Sequence, residues 1–147
     1  MGRNIIGGIV GYIVLFIVMF ATCTTAYLVM GTDNAFAPGT YDVTTTWILV
    51  SSVFAFLAAV VGGYVAAIIG RGAGAAKILA GIILVMGLLS IVIVAVSTRS
   101  AEARIAATPN MEAFTKAQTP LWAAGLSTLI GIAGAIVGGN LRKDRRA

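Results

Sequence analysis

The chain of 147 residues has no histidine, one cysteine (Cys23) and little charge, with 10% Asp, Glu, Lys and Arg. Each shortage excludes something. Without imidazole there is no histidine-ligated haem or chlorophyll, no Ser-His-Asp triad and no ordinary zinc site. A lone cysteine leaves no internal disulfide. The low charge excludes water as the main solvent. Soluble proteins are about 25% charged and about 45–50% apolar, whereas this chain is 59% hydrophobic. A single soluble core of this size cannot hide so much apolar surface behind so little polar surface. The composition is that of a polytopic membrane protein.

What is present divides into long apolar runs. A spanning helix needs about 20 mainly apolar residues, and four segments qualify: 5–30, 45–70, 75–96 and 120–140. None has Asp, Glu or Arg in its interior. Lys77 falls in the first turn of the third span, where it can snorkel to the headgroups. The expected fold class is an all-α membrane protein, a single domain of four transmembrane helices over residues 1–147. Residues 31–44 read as a turn-rich loop broken at Pro38-Gly39. Residues 71–74 are a very short Gly-rich turn, so spans two and three form an antiparallel hairpin. The longest loop, 98–119, contains Thr108-Pro109, an N-cap followed by a first helical position. A short interfacial helix is expected over 110–117. Thr119-Pro120 repeats the same start for span four.

Orientation follows from basic residues in the short loops. The N-terminus, the tight turn and the C-terminus carry seven: Arg3, Arg71, Lys77, Arg142, Lys143, Arg145 and Arg146. The other two loops carry three: Arg99, Arg104 and Lys116. Both termini are therefore expected to be cytoplasmic, and the net charge of +5 is a topological signal. Trp47, Trp122 and Tyr41 then fall at the outer interface as an aromatic belt. The first apolar run is too long for a signal-peptide core and lacks an A-x-A site. Phe20-Ala21-Thr22-Cys23 fits a lipoprotein cleavage site poorly, so Cys23 reads as a buried thiol.

Spans two and four end alike. Ala58-Ala59-Val60-Val61-Gly62-Gly63 matches Gly134-Ala135-Ile136-Val137-Gly138-Gly139. Spans one and three share a weaker start, Ile5-Ile6-Gly7-Gly8-Ile9 against Ile78-Leu79-Ala80-Gly81-Ile82. Two repeated helical hairpins are a further expectation, related by an axis along the membrane normal.

Lipid tails are as apolar as leucine, so helices associate by close packing of small residues one turn apart. Gly7 and Gly11 supply this on span one. Gly62, Ala66 and Gly70 supply it on span two, with Gly63 in a second stripe. Gly134 and Gly138 supply it on span four. The stripes read as packing of a four-helix bundle, with bulkier residues facing lipid; the alternative, suggested by two stripes on one helix, is that one stripe lies outside and binds a partner subunit. Hydroxyl residues gather nearer the other end of the helices. Thr25, Ser51, Ser52 and Ser127 lie at similar depth and outline a polar vestibule, or else bond within and between helices.

Chemistry is scarce. Ion-coupled transporters usually carry an intramembrane ionisable group, and none is present. The Gly70–Gly74 turn is not a phosphate loop, since it follows no strand and lacks the G-K-[ST] ending. Asp33, Asp42, Glu102 and Glu112 have no histidine, metal cluster or pocket to work with. Neither an enzyme nor a cofactor or metal site is expected. The basic tail meets anionic headgroups rather than nucleic acid.

At Gly62-Gly63-Tyr64-Val65-Ala66-Ala67 and the basic turn after it, the sequence resembles a loose group of small, uncharacterised four-span bacterial inner-membrane proteins. In that group a basic residue often follows two or three positions later, and here Arg71 comes slightly later. The resemblance implies a bacterial inner-membrane location and no particular activity. The expected function is a non-catalytic structural or accessory subunit that packs with itself or with other membrane subunits. The alternative is a small channel or permease using the hydroxyl-lined vestibule.

Overall fold

A computed structural model describes residues 2–96 and 116–144. Four long apolar helices dominate: α1 (Gly2–Met30), α3 (Thr45–Gly70), α4 (Ala73–Val96) and α5 (Leu121–Asp144). A single short turn of helix, α2 (Thr32–Ala35), follows α1. No strand is present among the described residues, and the four long helices are long and apolar enough to cross a membrane. This is the all-α four-helix membrane fold. The expected helix over 110–117 lies outside the described residues, apart from Lys116 and Ala117, which are not helical.

The helix ends are fixed by local chemistry. Gly31 takes a positive φ of 74° and its N–H donates to Tyr27 O, closing α1. Thr44 caps α3: its Oγ1 accepts from the Trp47 N–H and donates to Asn34 O. An N-cap hydroxyl of this kind contributes about 1 kcal/mol. At the other end of α3 the chain leaves through Arg71, in the left-handed region at φ 59°. Arg71 N donates to Ile68 O and Gly72 N to Ala67 O, the paired bonds of a Schellman motif. Glycine usually fills that position, because a Cβ strains it.

The helices pack in the cyclic order α1, α3, α5, α4. Their contacts give the directions. Residues 7 and 11 of α1 meet 66 and 62 of α3, so that pair is antiparallel. Gly134 and Gly138 of α5 meet Ala59 and then Tyr64 of α3, so that pair is parallel. Both chain ends therefore lie on one side, here called the terminal side. An axis along the membrane normal relating the two hairpins would set α1 opposite α4 and α3 opposite α5, whereas each of these pairs lies side by side, so the helix order lends no support to the expected repeat. The diagonal contact is between α3 and α4, and α1 and α5 make no comparable contact among the described residues.

The opposite side carries a folded cap. Residues 31–44 are more than a loop. Pro38 and Gly39 occupy the centre of a turn closed by Thr40 N donating to Ala37 O, with Gly39 at φ 72°. That is the geometry of a type II turn, which requires glycine at its third position. Ala37 N donates to Asp42 O and Thr44 N to Ala35 O across the loop. Gln118 N then donates to Tyr41 O, and Val43 N to Gln118 O, tying the cap to the segment before α5. Phe36 is 2% exposed, edge-on to Tyr27, whose ring also meets Trp47 edge-on. Of the three residues expected in an aromatic belt, two join this small aromatic core. Tyr41 is 4% exposed inside the cap and Trp47 is half-buried against it, while Trp122, 58% exposed, faces outward. The cap's main-chain pairing draws the first two residues inward.

Candidate functional site

The sequence-marked residues fall into two groups, small residues on the terminal side and hydroxyls toward the cap. The small residues line two seams. In the first, α1 crosses α3. A Cβ on Gly11 would stand 2.7 Å from Gly62 O, and a Cβ on Gly62 would stand 2.7 Å from Gly11 O. A Cβ on Gly7 would stand 2.7 Å from Ala66 O and 2.9 Å from Gly70 N. The two backbones are thus in direct contact, close enough for Cα–H···O bonds of roughly 0.5–1 kcal/mol each. Gly70 itself packs on Ala75 and beside Asn4, whose side chain also lies against Gly74.

In the second seam, α3 runs beside α5. A Cβ on Gly134 would stand 2.8 Å from Ala59 Cβ and from Phe56 O. Gly63 rests on the backbone of Ala135, and Gly138 on Val60 O and Tyr64 N. All eight predicted packing residues, Gly7, Gly11, Gly62, Gly63, Ala66, Gly70, Gly134 and Gly138, lie in these two seams. The contacts are those of the packed bundle, and neither stripe of α3 is left outside as the alternative had it. Because α3 sits between α1 and α5, it needs one small-residue face for each. Ala58, Ala59, Ala66 and Ala67 of α3 are fully buried.

An arginine closes the terminal end of the second seam. Arg142 of α5 donates from its guanidinium to Ala67 O, in the last turn of α3. A cation at a helix C-terminus interacts favourably with the dipole, and here it shares Ala67 O with the Gly72 N–H. The sequence marked Arg142 as a topological charge and gave no sign of this partner.

The hydroxyls do not converge. Thr25 lies beside a groove of about 570 Å³ with Thr22, Val29, Val50 and Phe54. Ser51 lies in a separate pocket of about 300 Å³ with Phe16, Phe20, Cys23 and Trp47. Ser127 lines a third cavity of about 310 Å³, and Ser52 lines none of these three. The four named hydroxyls are therefore divided among clefts, although Ser127 shares its cavity with Ser90, Thr119 and Thr128. Equal depth along four helices does not fix the direction in which each side chain points. Most of these hydroxyls also bond locally. Thr25 donates to Ala21 O, Ser51 to Ile48 O, Ser127 to Ala123 O and Thr128 to Ala124 O. Such back-bonding satisfies the hydroxyl within its own helix.

The third cavity is the one the four long helices share. Its walls include Tyr12, Leu15 and Met19 of α1, Ala55 of α3, Ile83 to Val94 of α4, and Ala124 to Gly131 of α5. On its terminal side α1 and α4 are in contact, since a Cβ on Gly8 would stand 2.7 Å from Ile78 Cγ2. Toward the cap the helices part. Thr128 packs against Gly87 at mid-depth and is 9% exposed. The isolated Gly87 in an otherwise bulky stretch of α4 is the signal that marks this contact.

Among the described residues, no group of three or more His, Cys, Asp or Glu side chains is placed to hold a metal ion. No protein-family model, curated protein or solved structure matches the chain.

Proposed function

We propose that this integral membrane protein is a non-catalytic structural or accessory subunit, associating in the bilayer with copies of itself or with other membrane subunits. The observation that carries the reading is the state of the intramembrane polar groups. Thr22, Thr25, Ser51, Ser127 and Thr128 spend their hydroxyls on carbonyls of their own helices. These five hydroxyls are committed within their own helices, which supports packing rather than chemistry as the way this chain acts. The association surface is not the glycine stripes, which are used within the chain. What remains for association is the exposed aliphatic faces, that of α4 among them, where Leu84, Val85, Leu88, Leu89, Val92, Ile93 and Val96 are exposed.

The bacterial inner membrane as location belongs to the same proposal and rests on the GGYVAA-type resemblance. Cytoplasmic termini rest on the basic residues of the terminal side. The permease reading is disfavoured by the division of the hydroxyls among three clefts. Extraction of the chain from its native membrane in mild detergent, followed by sizing and identification of co-migrating proteins, tests the proposal. A larger assembly supports it. A lone monomer, together with solute flux in reconstituted vesicles, overturns it in favour of the permease.

A further inference from the structure

We propose that the cavity shared by the four long helices, lined mainly by α1, α4 and α5, is a binding site for one acyl chain of a phospholipid from the cap-side leaflet. The site goes beyond the accessory role and does not depend on it. Four observations point to this occupant. First, the cavity opens sideways. Met86 is 46% exposed and Ser90 is exposed on its α4 wall, so in a bilayer the opening faces hydrocarbon. Second, its shape suits a chain. Lining residues of α4 run from Ile83 to Val94, a length of about 16 Å at the helical rise. The 310 Å³ volume has room for about ten methylenes, each near the ~30 Å³ that a water molecule occupies in the liquid.

Third, the inner wall is mainly apolar. Leu15, Met19 and Ile83 line it beside the Tyr12 ring, and Thr128, its buried hydroxyl, already donates to Ala124 O, as the exposed Ser127 does to Ala123 O. Fourth, the polar character rises toward the mouth, where Thr119 lines the cavity. Lys116, three residues before Thr119, holds its ammonium 5.6 Å from the Tyr41 ring centroid on the same side. A positive charge on the cap side suits the phosphate headgroups of that leaflet. A mainly apolar wall, an opening toward hydrocarbon and a cation on the headgroup side match a phospholipid.

The experiment is native mass spectrometry of the full chain in mild detergent, with phosphatidylglycerol and phosphatidylethanolamine added. The expected result is one phospholipid retained per chain. Ser90→Phe and Ala124→Phe fill the cavity from two different helices and should each reduce retention about tenfold. Leu129→Phe, on a lipid-facing position that is 67% exposed, should leave it unchanged. Circular dichroism checks each variant's helicity, and either cavity variant that keeps its fold suffices for the test. Absence of a retained lipid, or equal retention in the filled and control variants, overturns the proposal. So does labelling of Ser127→Cys, in a Cys23→Ser background, by a membrane-impermeant maleimide in vesicles, because that shows water in the cavity.

Discussion

Alanine at Gly62 and alanine at Gly81 should move stability in opposite directions. Both glycines lie inside long helices, and alanine is the better helix former by about 0.8–1.0 kcal/mol. Their surroundings differ. A Cβ at Gly81 meets nothing within 4 Å. A Cβ at Gly62 would lie 2.7 Å from Gly11 O and 2.9 Å from Leu15 Cβ, where ordinary contact begins at 3.4 Å. The α1–α3 seam must therefore open by about 0.7 Å, and overpacking of this kind costs about 1–3 kcal/mol. The flanking contacts at Gly7 and Ala66 loosen with it. Gly62→Ala should thus be destabilising by up to about 2 kcal/mol after the propensity gain, and Gly81→Ala stabilising by up to about 1 kcal/mol. Reversible unfolding in mixed micelles, followed by circular dichroism, measures the pair. Equal shifts of the same sign would refute the claim that backbone contact at this seam sets the packing.

Other outcomes follow from the caps and clamps. Phe36→Ala removes the centre of the aromatic cap and should cost about 3–5 kcal/mol locally. Limited proteolysis should then cut within 31–44 while the four long helices stay protected. Arg142→Ala removes the donor to Ala67 O and should lower stability by about 1 kcal/mol, with faster amide exchange in the last turn of α3. Arg71→Gly relieves the left-handed strain at φ 59° and should raise the unfolding midpoint, an effect of about 0.5–1 kcal/mol.

The four spans are legible in the sequence because each is a run of apolar residues longer than a bilayer needs. Observed bounds differ from the expected ones by a few residues at most. The small residues are legible for the same reason, since glycine at one-turn spacing serves helix contact. Their destination is not. Whether Gly63 faces a partner or α5 depends on the order of helices around the bundle, and span order alone leaves that open. The cap is missed because its key pairing, Asp42 with Gln118, joins distant stretches of chain. A count of turn-forming residues sees only Pro38-Gly39. The hydroxyls mislead because depth is read from residue number, whereas convergence depends on rotation about each helix axis.

The central claim is that both small-residue faces of α3 are consumed within one chain. Cysteines in place of Ala59 and Gly134, whose positions touch across the α3–α5 seam, test it in a Cys23→Ser background. After mild oxidation in the native membrane, the account predicts a cross-link within single chains. Fragments cut in the 98–119 loop would then stay joined on a non-reducing gel. A disulfide-linked dimer of two chains would contradict it.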